Sequence, residues 1–210
     1  FPSPGRSRAA DGSHIMTDDV TQPPLERAGR DWLKLKLTIA YHGGPYAGWQ
    51  TQASGVGVQQ KVEEALRRLY PGARGVQGSS RTDTGVHAVG LVAHAEIPRA
   101  ENRIPPAKLV LALNAHLPPD IRVVAVARCR ADFHARFQAA GKQYRYFIWN
   151  HAAVNPLLSH LVWHVPQTLD LAAMRAAGQR FVGRHDFRSF AVNRHYPFVH
   201  TVRTLRRCQL

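Results

Sequence analysis

A chain of 210 residues with 44% hydrophobic content is long enough to bury a real core as one ordinary domain or two small ones, which excludes a disordered or fibrous protein. Lys and Arg number 28 against 14 Asp and Glu, a net charge of +14 that points to a polyanionic partner, nucleic acid first. No apolar run approaches the ~20 residues of a membrane span and no secretory signal is visible; Cys129 and Cys208 have no paired spacing, so neither a disulfide framework nor a zinc cluster is suggested and a cytoplasmic protein is expected.

Residues 12–16 read Gly-Ser-His-Ile-Met, the form of a vector-derived leader ahead of a start at Met16, and residues 1–31 are expected to be a disordered tag and leader. That stretch holds 4 basic and 5 acidic residues, which leaves 24 basic and 9 acidic residues, or +15, in the remainder. Leu33, Leu35, Leu37 and Ile39 alternate with Lys34, Lys36 and Thr38, the period of a strand with one buried and one basic face. A Gly-rich loop from Tyr41 to Gly57 follows. Val58, Val62, Ala65, Leu66 and Leu69 recur at helical spacing until Pro71-Gly72 ends the run. Val89, Leu91, Ala93, Ala95 and Ile97 predict a second strand, Ala107 to Leu113 a short helix after Pro105-Pro106, and Ile121 to Ala127 a third strand. Tyr144 to Trp149 is apolar or aromatic on both faces and predicts a central fourth strand; Leu171 to Val182 predicts another helix. The expectation is an α+β protein with a domain at 32–139 and a partial one at 140–210.

Between the first helix and the second strand lies Gly78-Ser79-Ser80-Arg81-Thr82-Asp83-Thr84-Gly85-Val86-His87-Ala88, a short, polar loop that can hold one carboxylate and one guanidinium at the rim of a sheet. Asp83 is the candidate nucleophile or base. Asp and Gly also build ordinary turns, and composition alone does not separate the two readings.

The run Arg81-Thr82-Asp83-Thr84-Gly85-Val86-His87 closely resembles the catalytic motif of the tRNA pseudouridine(38-40) synthases, the TruA type. The resemblance continues in order through Tyr41-His42-Gly43, Gly48-Trp49-Gln50, Val58-Gln59, Leu113-Asn114-Ala115-His116-Leu117-Pro118, Asp132-Phe133-His134-Ala135-Arg136, Lys142-Gln143-Tyr144-Arg145-Tyr146 and His185-Asp186-Phe187-Arg188-Ser189-Phe190. It implies a pseudouridine synthase fold of two ferredoxin-like halves whose antiparallel sheets join, a basic cleft between them, and a homodimer acting on the anticodon stem-loop of tRNA without metal or cofactor. It makes Asp83 the essential catalytic residue. Tyr144 resembles the aromatic that stacks on the flipped uracil, and Arg81 the arginine that fills the space the nucleotide leaves. Thr82 and His87 belong to the same substrate-binding loop. A tyrosine filling the core, a surface arginine on a phosphate and a backbone-bonded histidine are the plainer alternatives. One departure is His42, where the family often has Asp, read as a tolerated change in a turn. In the family the motif series continues beyond the region resembling Thr201 to Leu210, so the second half is expected to be truncated.

Isomerising uridine means breaking its bond from N1 to the sugar, turning the base and rejoining it through C5, for which one carboxylate suffices, by attack on the sugar carbon or by opening a glycal route. Simple hydrolysis would call for a second acid, which the loop lacks. A binding protein with the same basic cleft but no chemistry is the alternative. There is no His-Glu-x-x-His, no Cys/His spacing for a metal and no phosphate-binding Gly-rich signature. Arg203 to Arg207 with Lys34, Lys36, Lys142 and Arg145 would form an RNA-facing stripe if alternation points them one way, or a merely solvated face.

Overall fold

The computed structural model describes residues 31–190 and 201–210, so the leader expected at residues 1–31 lies, except for Asp31, outside the described residues. The chain divides into two compact units, Phe1–Lys142 and Gln143–Leu210.

In the first unit the order is β1 (Trp32–Tyr41), α1 (Val58–Leu69), β2 (Gln77–Gly78), β3 (Ala88–Pro98), α2 (Pro106–His116) and β4 (Ile121–Cys129). The strands form one sheet in the order β2-β3-β1-β4 with every neighbour antiparallel. This β-α-β-β-α-β succession interleaves two split βαβ units, β1-α1-β2 around β3 and β3-α2-β4 around β1. The expected alternation sets the core: Leu35, Leu37, Ile39 and Tyr41 of β1 and Leu91, Ala93, Ala95 and Ile97 of β3 are buried. Val58, Val62, Ala65 and Leu66 of α1 and Leu109 and Leu113 of α2 belong to the same core, an i, i+4 repeat that keeps one face of each helix inward. Helix α2 outruns its expected end at Leu113. Asn114 holds its last turn to β4, donating to the Val123 carbonyl and accepting from the Val123 amide, both at 2.9 Å, and Leu117 before Pro118 leaves the helical region.

Val89 does not join the inward row of β3. Ile39 pairs with Leu91 but Tyr41 with Ala88, so β3 carries one extra residue there; Ala88 takes the inward place and Val89 is 90% exposed. A second irregularity, between Thr38 and Ile39 opposite β4, bends the same end of β1, as bulges do near sites.

The outer sheet face is partly covered by residues 130–138. The Ala135 amide donates to Nδ1 of His94 at 3.2 Å, and Lys34 Nζ donates to the Phe133 carbonyl at 3.1 Å. Lys34 also lies 3.2 Å from Glu96, and its side chain is only 11% exposed. It therefore drops out of the expected RNA-facing stripe: a lysine already desolvated and paired has no free charge to offer a phosphate. Lys36, one pleat along, is exposed.

The second unit contains β5 (Ile148–Trp149) paired parallel with β6 (Trp163–His164), α3 (Leu171–Arg180), and β7 (Gly183–Asp186) paired antiparallel with β8 (Val202–Leu205). Asp170 caps α3, its carboxylate accepting the amides of Ala172 and Ala173 at 2.9 Å. The helix ends two residues before its expected limit, in a turn at Phe181 and Val182. The central strand expected over Tyr144–Trp149 is corrected: only Ile148 and Trp149 are in a ladder. Alternation shows which side chains could share a face, but a strand needs partners for its amides: residues 144–146 pair with no strand among the described residues, and Phe147 offers β6 only its carbonyl, which accepts the Trp163 amide at 2.7 Å. The described residues are mixed α and β, and the first unit is built on an antiparallel sheet.

Candidate active site

Residues 79–87 connect the antiparallel neighbours β2 and β3 beside the β1–α1 loop, and nearly every tie that shapes this connection comes from residues 41–49. The Ser79 amide starts it with a bond to the Val92 carbonyl at 2.7 Å. Thr82 is held twice: its carbonyl accepts the Trp49 amide at 3.0 Å, and its Oγ1 lies 2.8 Å from the Tyr41 hydroxyl. Further along, the Gly85 amide reaches the Tyr46 carbonyl at 3.4 Å, and the Gly43 amide donates to Nδ1 of His87 at 3.1 Å.

The approach of the two loops requires glycine. A Cβ at Gly43 would stand 2.0 Å from the Val86 carbonyl oxygen, and one at Gly48, where φ is +88°, 2.4 Å from that of Thr82. Only a residue without a side chain permits both the backbone conformation and the contact at Gly48.

The scaffold loop is itself anchored. The Tyr46 hydroxyl donates to Asp120 at 2.6 Å, and the His42 amide donates to the Asp120 carbonyl at 2.9 Å. Burial, and then the Asp120 carboxylate, push the Tyr46 hydroxyl pKa up, so it remains a donor. Burial likewise raises Tyr41, only partly offset by its bond with Thr82.

Within this frame Asp83 is exposed. Its carbonyl closes a turn with the Val86 amide at 3.2 Å, while its carboxylate makes no ion pair or hydrogen bond among the described residues. Arg81 is also exposed and unpaired among them. The fold thus fixes the backbone on both sides of Asp83 and leaves the carboxylate open to act as nucleophile or base on a group arriving from solvent. Thr82 turns its hydroxyl toward the protein. His87 is exposed, and the backbone bond to Nδ1 sets its ring orientation. Tyr144 belongs to the second unit; it is 64% exposed and does not fill a core.

Residues 41–49 have a role the sequence alone does not reveal. Tyr41, Gly43, Gly48 and Trp49 stand inside runs that carry the family resemblance, and that was the available signal. The ring of His42, where the family often has Asp, lies 4.4 Å from that of His87, edge to face. Among the described residues, no three His, Cys, Asp or Glu converge as a metal site would require, and no helix is long and apolar enough to cross a membrane.

The chain is 46% identical over 156 residues to tRNA pseudouridine synthase A of Syntrophotalea carbinolica, spanning 74% of this chain and 61% of that relative. It is 38% identical over 173 residues to the protein of the same name from Methylacidiphilum infernorum, spanning 82% of this chain and 67% of that one. The chain belongs to the tRNA pseudouridine synthase A family. A third member, from Rhodospirillum rubrum, is 47% identical over 159 residues, 75% of this chain and 56% of its own length. The chain thus spans about three-fifths of the length of the first and third of these relatives. No family model matches it. In this member of the tRNA pseudouridine synthase A family, the loop carrying Asp83 and the loop from Tyr41 to Trp49 form one hydrogen-bonded assembly.

Proposed function

We propose that the protein isomerises uridine to pseudouridine in the anticodon stem-loop of tRNA, as a pseudouridine(38-40) synthase, with Asp83 as its catalytic carboxylate. The observation that carries this reading is an exposed, unpaired Asp83 on a loop whose backbone is tied down on both sides, in a chain of this family. A carboxylate repels phosphate, so a protein that only bound RNA would gain nothing by presenting one there.

The chemistry balances without a redox partner. The bond from N1 to the sugar breaks and one from C5 forms, C5 gives up its proton and N1 ends with one; substrate and product are isomers. Asp83 either attacks the sugar carbon or takes a sugar proton. Arg81 occupies the space left by the extruded nucleotide, offsetting part of the few kcal/mol that flipping costs. The exposed ring of Tyr144 supplies a stacking face for uracil. Thr82 and His87 complete the loop against which the substrate lies. The same reading makes residues 140–210 part of a second ferredoxin-like half and the working protein a cytoplasmic homodimer.

The test is tritium release from tRNA carrying C5-tritiated uridine. Release by the wild type and none by Asp83→Ala, with tRNA affinity kept within about tenfold, is the expected result. Release at the wild-type rate by Asp83→Ala removes Asp83 from the mechanism, and tRNA binding without any release by the wild type leaves the protein an RNA binder.

A further inference from the structure

We infer that Tyr41 is a positioning residue for this reaction: its buried hydroxyl holds Thr82 and thereby places the backbone from which Asp83 projects. The inference rests on the assignment of Asp83 above. Tyr41 closes β1, paired with Ala88 of β3 on one side and Ile121 of β4 on the other, so its backbone is fixed by the sheet. It is 5% exposed, and its hydroxyl has one hydrogen-bond partner among the described residues, Thr82 Oγ1 at 2.8 Å. On the other side of the Thr82 Cα, the carbonyl takes the Trp49 amide at 3.0 Å. Thr82 is therefore gripped at both ends, and the rotations that would swing Asp83 are stopped one residue before it. Among the described residues the Asp83 carboxylate has no tie of its own, so it inherits its position from Thr82. A displacement of about 1 Å at a reacting group costs on the order of 100-fold in rate. Tyr41 faces the core and does not meet the RNA, so its loss should appear in kcat and not in binding.

The experiment compares Tyr41→Phe, Thr82→Val, Thr82→Ser and the double variant Tyr41→Phe/Thr82→Val in the intact protein, by tritium release, tRNA binding and amide hydrogen exchange. Tyr41→Phe and Thr82→Val should each lower kcat roughly 10- to 100-fold, and in Tyr41→Phe, which does not touch the substrate loop's own side chains, tRNA Kd should stay within about threefold. Thr82→Ser, which keeps the hydroxyl, should retain most of kcat, and the double variant should be no worse than the poorer single one. Amides of residues 81–85 should exchange faster in Tyr41→Phe while β1 and β3 stay protected. Unchanged exchange in Tyr41→Phe, a loss confined to Kd, or losses that multiply in the double variant would each overturn the inference. A wild type that releases no tritium defeats the assignment of Asp83; the exchange comparison still decides whether Tyr41 holds the loop.

Discussion

Acidifying the protein from pH 7.5 to 5 should destabilise the first unit by about 2 kcal/mol, through His94. This imidazole is 6% exposed on the outer face of the sheet, accepts the Ala135 amide at Nδ1, and meets the rings of His134 at 4.7 Å and Phe133 at 6.1 Å. Burial first, then the positive surroundings of His134 and Lys34, lower its pKa from 6.5 to about 4, with Glu96 opposing. In that window the unfolded chain binds a proton that the folded chain refuses, so stability is full above about pH 6.5 and falls as the pH drops toward 4. At pH 5 the unfolded imidazole is nearly all protonated and the folded one only about a tenth, which corresponds to roughly 2 kcal/mol. The pKa of His134 is lowered as well, by burial and then by Lys34 and Arg136, and adds in the same direction. Glu96 acts elsewhere: burial raises its pKa, hydrogen bonds from Arg74 and Lys34 outweigh that, and the resulting stability is lost only below the ordinary carboxylate range. Urea unfolding followed by tryptophan fluorescence, with Trp149 and Trp163 of the second unit replaced by Phe so that Trp32 and the buried Trp49 report, measures the difference. His94→Asn places an oxygen where Nδ1 stood and cannot titrate, so it should leave only the shallow slope due to His134. Equal wild-type stability at the two pH values, or an undiminished slope in His94→Asn, would refute the account.

Gly48→Ala combines a positive φ with a Cβ 2.4 Å from the Thr82 oxygen and should cost about 2 kcal/mol or more, whereas Gly85→Ala, at φ +81° with open space around it, should cost about 1; thermal unfolding ranks them, and equal melting temperatures would contradict the close approach. Tyr144→Phe keeps the stacking face, so tRNA affinity should hold while tritium release reports on the hydroxyl; full activity would exclude a proton-transfer role for it. Affinity for tRNA should fall by orders of magnitude between ~50 and ~200 mM salt, since residues 32–210 carry +15 and each neutralised phosphate releases counterions; a flat response in filter binding would count against a basic binding surface.

The sequence by itself determined the elements whose buried side chains repeat with their own period. Leu35, Leu37 and Ile39 in β1, Leu91 to Ile97 in β3, and Val58, Val62 and Leu66 in α1 declare their faces because burial acts on each element separately. The loop around Asp83 was legible too, because its motif is contiguous. Local periodicity misleads where the deciding partner is remote. Val89 continues the alternation of β3, yet a bulge set by the pairing with β1 turns it outward. Tyr144 to Phe147 has the composition of a strand but no ladder among the described residues. Lys34 belongs to the basic face of β1 by alternation, and Glu96 and the Phe133 carbonyl take its charge. The contacts that place Asp83 and protect His94 were likewise decided only by the tertiary structure. Tyr41 and Thr82 stand 41 residues apart, Gly43 and His87 44, and His94 and Ala135 41. A hydrogen bond depends on separations of a few tenths of an ångström, and no local pattern of polarity records which distant residue the folded sheet will bring to that distance.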